Sequence, residues 1–211
     1  KYSYVYKDPR DLQTSVTDAL GGITAFNYNV LGELCESYDP ENNITTHTYD
    51  MLGQRTQTVH PDAGTTNYEY DNAGNLIFMQ TQNLINETQK VNYIYDYGRL
   101  KEVRYPQNPE MNVYYTYGLP NVLGANRIVK QQDASGVQSY AYGKLGEMTE
   151  NTHTFVMPGG NNYTFKMLWQ YDSWNRIKLI TYPDGEKVTY TYKKYGQLST
   201  VTSLKNTSST T

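Results

Sequence analysis

The residues able to do chemistry in this chain are few and far apart. Hydrolysis by a Ser or Thr nucleophile needs a base beside it and a group that orients the base. Only His47, His60 and His153 are on offer as the usual base. His47 stands where neighbouring segments carry an aromatic residue, and His60 stands where they carry Tyr before Pro, so both read as substitutions within a pattern. Cys35, the single cysteine, follows Leu34 in a strand-like stretch, where a buried small thiol is the expected state. One cysteine also excludes an internal disulfide framework and a thiolate metal cage. Asp18, Asp39, Asp50, Asp62, Asp71, Asp96, Asp172 and Asp184 would be the oxygen donors for a hard cation. They lie nine or more residues apart, whereas calcium loops cluster their acids densely. Each stands near a turn and reads as a cap on turn amides. Catalytic residues, metal ligands and cofactors are therefore not expected, and the chain is read as non-enzymatic.

Composition narrows the partners. The 211 residues carry 18 basic and 21 acidic side chains, a net charge of −3, with no basic cluster longer than Lys193-Lys194. That is not the footprint of a nucleic-acid binder. No run of eighteen apolar residues exists, so neither a spanning helix nor membrane insertion is expected. The chain begins at Lys1 without an apolar leader and reads as a piece of a longer polypeptide. The anomaly is tyrosine, with 23 residues against four Phe and two Trp.

The tyrosines mark an internal repeat. Tyr28-Asn29-Val30-Leu31-Gly32 recurs as Tyr49-Asp50-Met51-Leu52-Gly53 and as Tyr70-Asp71-Asn72-Ala73-Gly74, each step being 21 residues. Tyr171-Asp172-Ser173-Trp174-Asn175 and Tyr192-Lys193-Lys194-Tyr195-Gly196 form another such pair. Tyr142 to Gly146 belongs to the series, and Tyr95-Asp96-Tyr97-Gly98 is a copy one residue shorter. Weaker copies start at Tyr6, with Lys7 and Arg10 in the Asp and Gly positions, and at Tyr117. A second mark, as in His60-Pro61-Asp62-Ala63-Gly64 and Tyr182-Pro183-Asp184-Gly185, follows the next strand. Between the marks the residues alternate with period two, as in Val188-Thr189-Tyr190-Thr191-Tyr192. The spacing predicts nine β-hairpins filling 1–204, and a frayed tail over 205–211. Asn83–Lys90 and Asn151–Asn162 read as polar insertions that lengthen hairpin loops. Two residues before each anchoring Tyr sits another aromatic residue, or His47, so the strands present paired aromatic columns on one face. These columns read as packing between repeats.

The nine Tyr-anchored copies vary on Tyr-Asp-x-x-Gly, with Lys7, Asn29, Gly118, Gly143 and Lys193 in the Asp position and Arg10 and Asn175 in the Gly position; with their Pro-Asp-Gly turns they resemble the Rhs/YD-repeat family over essentially the whole chain. The resemblance implies an all-β fold of tandem hairpins in one long, curved antiparallel sheet. In that family the ribbon winds into a hollow shell around a C-terminal toxin, as in bacterial Rhs proteins and the C component of insecticidal toxin complexes, with a related shell in teneurins. It implies a structural scaffold, secreted or at the cell surface, whose partner is the remainder of its own polypeptide including a toxin domain. The family's self-cleaving core motif is matched only in its first fragment, Tyr38-Asp39-Pro40, so no catalytic residue is carried over. Eighteen strands at roughly 4.8 Å would extend on the order of 85 Å, and sheets beyond about ten strands curl. Open edges would favour edge-to-edge dimers of the piece. The rival reading is a surface module that binds glycans through aromatic residues, with Trp174 beside a turn and the loop Met157–Tyr163, including Tyr163, as contacts.

Overall fold

The computed structural model describes residues 2–205, so the expected tail lies outside the described residues except for Lys205. The chain resolves into two compact units, Lys1–Pro109 and Glu110–Thr211. The first holds β1 (Ser3–Val5), β2 (Ser15–Thr17), β3 (Ile23–Tyr28), β4 (Leu34–Tyr38) and β5 (Ile44–Tyr49). It continues with β6 (Arg55–His60), β7 (Gly64–Tyr70), β8 (Leu76–Gln80), the single-turn α1 (Gln82–Asn86), β9 (Val91–Asp96) and β10 (Arg99–Arg104). The second holds β11 (Val113–Tyr117), β12 (Ile128–Asp133), β13 (Gly136–Tyr142) and β14 (Met148–Val156). β15 (Asn162–Tyr171), β16 (Ile177–Thr181), β17 (Lys187–Tyr192) and β18 (Leu198–Leu204) complete it. Within each unit every strand pairs antiparallel with the next in sequence. The all-β tandem-hairpin architecture is thus observed.

No second layer covers these ladders within either unit. Among the described residues only Val91 and Ile180 are buried hydrophobics. The alternation expected from the sequence is present: His47 and Tyr49 in β5 are half-buried while Thr48 between them is exposed. Tyr190, Tyr192 and Thr191 repeat this in β17. In these strands one face is aromatic and half-buried, while the intervening Thr48 and Thr191 are exposed.

The turns explain why the chain reverses where it does. The Asp50 carboxylate accepts the amides of Leu52 at 2.8 Å and Gln54 at 2.9 Å, and Gly53 sits at φ 77°. Asp71 and Asp172 do the same, and Asn29 does so with its amide oxygen. Where the glycine is missing, Asn175 takes φ 59°, since Asn tolerates the left-handed region best among the larger residues. Where the Asp is replaced by Gly143, the Glu147 carboxylate reaches back and accepts the Leu145 amide. Tyr97 and Gly98, at φ 48° and 77°, make the two-residue loop that the shorter copy demands.

Three expectations need correction. In the first copy the cap is Asp8, which accepts the Arg10 amide, and the positive φ of 62° falls on Asp11; Lys7 and Arg10 do not hold the Asp and Gly positions. The capped turn Asp8–Asp11 keeps the usual spacing, and Lys7 is the extra residue between the anchor Tyr6 and the cap. The insertion at 151–162 lengthens strands rather than a loop: β14 and β15 pair as far as Val156 opposite Asn162, and the turn is only Met157–Asn161. His153, Phe155, Tyr163 and Phe165 alternate with Thr and Asn, which is strand periodicity inside a polar composition. The insertion at 83–90 is a connection, but it contains most of α1, whose Gln82 accepts the Thr65 amide at 3.0 Å.

Gly136 has φ 143°, and a Cβ there would lie 1.9 Å from the Thr154 carbonyl oxygen, whereas Gly21, at φ 91°, meets nothing within 4 Å. Gly21→Ala is expected to cost about 1–2 kcal/mol from backbone strain alone. Gly136→Ala adds an overpacking cost of about 1–3 kcal/mol or more. Equal urea midpoints for the two variants would contradict this packing.

Candidate functional site

The densest set of specific contacts joins one hairpin to the next. At each Tyr-Asp turn the ladder shifts register: Tyr28 opposes Leu34 while Asn27 opposes Glu36, leaving Cys35 as the extra residue of a β-bulge. The same shift occurs at Tyr49, Tyr70, Tyr95, Tyr117, Tyr142, Tyr171 and Tyr192. A bulge disrupts the ladder locally. In several repeats the anchor hydroxyl of the following repeat bonds a carbonyl there. Tyr49 donates to the Leu34 carbonyl at 2.9 Å, Tyr142 to Ile128 at 2.7 Å, Tyr171 to Met148 at 2.8 Å and Tyr192 to Ile177 at 2.7 Å. Tyr28 donates to the Gln13 carbonyl at 2.9 Å. The sequence reading assigned these tyrosines to aromatic packing and missed the hydroxyl. The available signal was that all nine anchors are Tyr, whereas the column two residues earlier admits Phe26, His47 and Trp169.

Neighbouring turns also touch through long side chains. The Arg10 guanidinium donates to the Asn29 and Val30 carbonyls at 2.7 and 3.0 Å. Arg127 lies 5.4 Å from the Tyr142 ring centroid. Arg176 lies between the rings of Trp174 and Tyr192, at 4.7 and 4.2 Å, and pairs with Asp172 at 2.6 Å. Hydrogen bonding to the ionised forms depresses the cap carboxylates. The Arg10 side chain holds Asp8 at about 2, and Asn43, Asn75 and Arg176 lower Asp39, Asp71 and Asp172. Burial raises Tyr70, Tyr93, Tyr95, Tyr140 and Tyr171 on the aromatic face.

The residues singled out for chemistry hold structural positions. The His47 Nδ1 is 3.1 Å from the Thr58 hydroxyl, and burial lowers its pKa. Cys35 lines the same open groove as His47, its thiol 3.6 Å from the Glu33 carbonyl. His60 serves its turn as the Asp caps serve theirs, its Nδ1 accepting the amides of Asp62 and Ala63. The His153 ring lies 3.7 Å from that of Phe155. Among the described residues no three of His, Cys, Asp and Glu gather as a metal site would require. Trp174 and Tyr163 are 64% and 54% exposed, but they stand at opposite ends of β15. The strand between them spans roughly 26 Å, so they do not form one contact site.

No protein-family model and no curated protein matches the chain. Solved structures match in fold. The chain superposes on the crystal structure of TcdB2-TccC3 with a TM-score of 0.76 at 20% identity, covering 95% of this chain and 12% of that one. The TcdB2-TccC3-Cdc42 structure gives 0.76 at 19% identity, again over 95% and 12%. The Tc holotoxin pore of Photorhabdus luminescens gives 0.73 at 20% identity, over 95% and 11%. The chain thus spans about one eighth of the chains it resembles, and its fold is the one that the Rhs/YD resemblance implies.

Replacing Tyr142, Tyr171 or Tyr192 singly by Phe is expected to cost about 1 kcal/mol each in denaturant unfolding. Tyr195→Phe, at a residue 93% exposed, should stay within about 0.5 kcal/mol. Equal effects at all four would remove the tether from the account. The depressed Asp carboxylates contribute stability that is complete above their ordinary value of 3.8 and is lost as pH falls through the native values, about 2 for Asp8. A melting temperature that holds down to about pH 5 and then declines is the expected profile; one that rises on acidification would contradict it.

Proposed function

We propose that the chain is a non-enzymatic wall segment of a β-shell that encloses or presents a toxin or effector carried elsewhere on the same, longer polypeptide. The observation that carries this reading is the single-layer construction of each unit, in which Val91 and Ile180 are the only buried hydrophobics among the described residues. A ladder with no covering layer is an unusual way to make an independent domain, whose elements ordinarily pack in two or three layers. It suits a surface that has an inside and an outside. The likeness in fold to TcdB2-TccC3, at about one eighth of its length, supports the same reading. So does the employment of His60, Asp50, Asp71 and Asp172 as turn caps. In this role the parent is secreted or displayed at a bacterial cell surface, and its principal partner is its own remaining chain. Edge-to-edge pairing of isolated pieces follows from the exposed strand edges.

The exposed rings of Trp174 and Tyr163 favour a second reading, adhesion to glycans. Their separation makes that two independent contacts. Limited proteolysis of the parent polypeptide, read by mass spectrometry, separates the readings. Containment predicts a segment beyond residue 211 that survives protease until denaturant opens the shell. Prompt digestion of everything beyond the repeats would overturn containment and leave adhesion in front.

A further inference from the structure

The two rims of the second unit differ in a way that turn formation does not require. The turns after β12, β14 and β16 form one rim, and apart from Met157, 46% exposed at the start of the turn after β14, their central residues are small, polar or Pro: Ala134-Ser135, Pro158-Gly159 and Pro183-Asp184. The turns after β13, β15 and β17 form the other rim. There the residue just before the positive-φ position is Leu145, Trp174 or Tyr195, exposed by 71%, 64% and 93%. The turn geometry asks only for its cap and for the left-handed residue, and turn tips are ordinarily polar. Three large apolar side chains at equivalent tips, one hairpin apart, therefore make a row of about 20 Å along one rim. Trp174 is held in place by stacking on Arg176. Beside the row stand Lys144, Lys193 and Lys194, and among the described residues none of them has a carboxylate partner.

Aromatic and aliphatic tips interleaved with unpaired lysines have the chemistry of an interfacial membrane contact. Trp and Tyr settle at headgroup depth, and the lysines meet anionic phosphates. We infer that this rim adsorbs peripherally to anionic lipid surfaces through Leu145, Trp174 and Tyr195, with Lys144, Lys193 and Lys194 supplying electrostatic attraction. The contact is shallow, with no strand or helix crossing the bilayer. Charge complementarity selects an anionic surface over a neutral one, because each lysine near such a surface contributes about five-fold in partitioning.

The test uses the intact chain with vesicles of phosphatidylcholine alone and of phosphatidylcholine mixed equally with phosphatidylserine. Co-sedimentation is expected only with the mixed vesicles and should weaken with salt as screening grows. Tryptophan emission should shift to the blue and be quenched by acyl-chain bromination. Lys193→Gln with Lys194→Gln should lower partitioning about 25-fold. Trp174→Ser should remove the blue shift while the circular dichroism spectrum is retained. Pro158→Ser, on the opposite rim, should change nothing. The inference is overturned by equal binding to both vesicles, by no binding, or by binding indifferent to the rim substitutions. Concentration-dependent self-association that buries Trp174 without lipid would assign the rim to a second copy of the chain instead.

Discussion

In several repeats a single tyrosine hydroxyl makes the connection to the neighbouring hairpin on which the rest of the structure depends. A β-bulge beside each Tyr-Asp turn adds a residue to one strand of the ladder, as Cys35 is added opposite Tyr28. The next repeat's Tyr49 bonds the Leu34 carbonyl at that bulge. The bulge without the bond would leave a half-buried backbone group poorly satisfied, at a cost of about 1–3 kcal/mol. With the bond, the irregularity that turns one hairpin also fixes the placement of its neighbour. Because neither unit has a second layer, these tethers and the strand ladders take the place of a core.

Energetics built from nearest-neighbour terms tolerate local departures. Asn175 in place of glycine and Glu147 in place of a capping Asp each solve the turn with different atoms. His60 caps its turn with an imidazole nitrogen. The long β14–β15 hairpin adds ladder without disturbing the anchors at Tyr142 and Tyr171, which still reach the Ile128 and Met148 carbonyls. An array of this kind can vary in sequence at many positions while keeping its pitch.

Its two faces and two rims are nonetheless distinct. The anchoring tyrosines of β5 and β17 share a half-buried face with the aromatic or His residue two positions earlier. In the second unit, large exposed side chains at Leu145, Trp174 and Tyr195 recur at equivalent turn tips of one rim. His60, Asp50, Asp71 and Asp172 cap their turns, and His47 bonds a ladder neighbour.

The sequence by itself determined the hairpins, their period and the alternation of the strands. Asp50 capping its own turn and Tyr190 sharing a face with Tyr192 are interactions between residues close in the chain, and residue type alone reports them. Only the tertiary structure decided which carbonyl each tyrosine reaches, because a backbone acceptor such as Leu34 leaves no mark on its side chain. It also decided that 151–156 and 162–167 pair as strands. The pairing of Thr154 with Thr164 across the ladder, at 3.0 Å, satisfies hydroxyls that a composition reading assigns to a loop. The separation of Trp174 from Tyr163 has the same origin: strand length converts a short interval in sequence into opposite rims. Local turn chemistry is written in side chains, whereas contacts between repeats run through backbone atoms and distance, which become readable only once the strands are laid side by side.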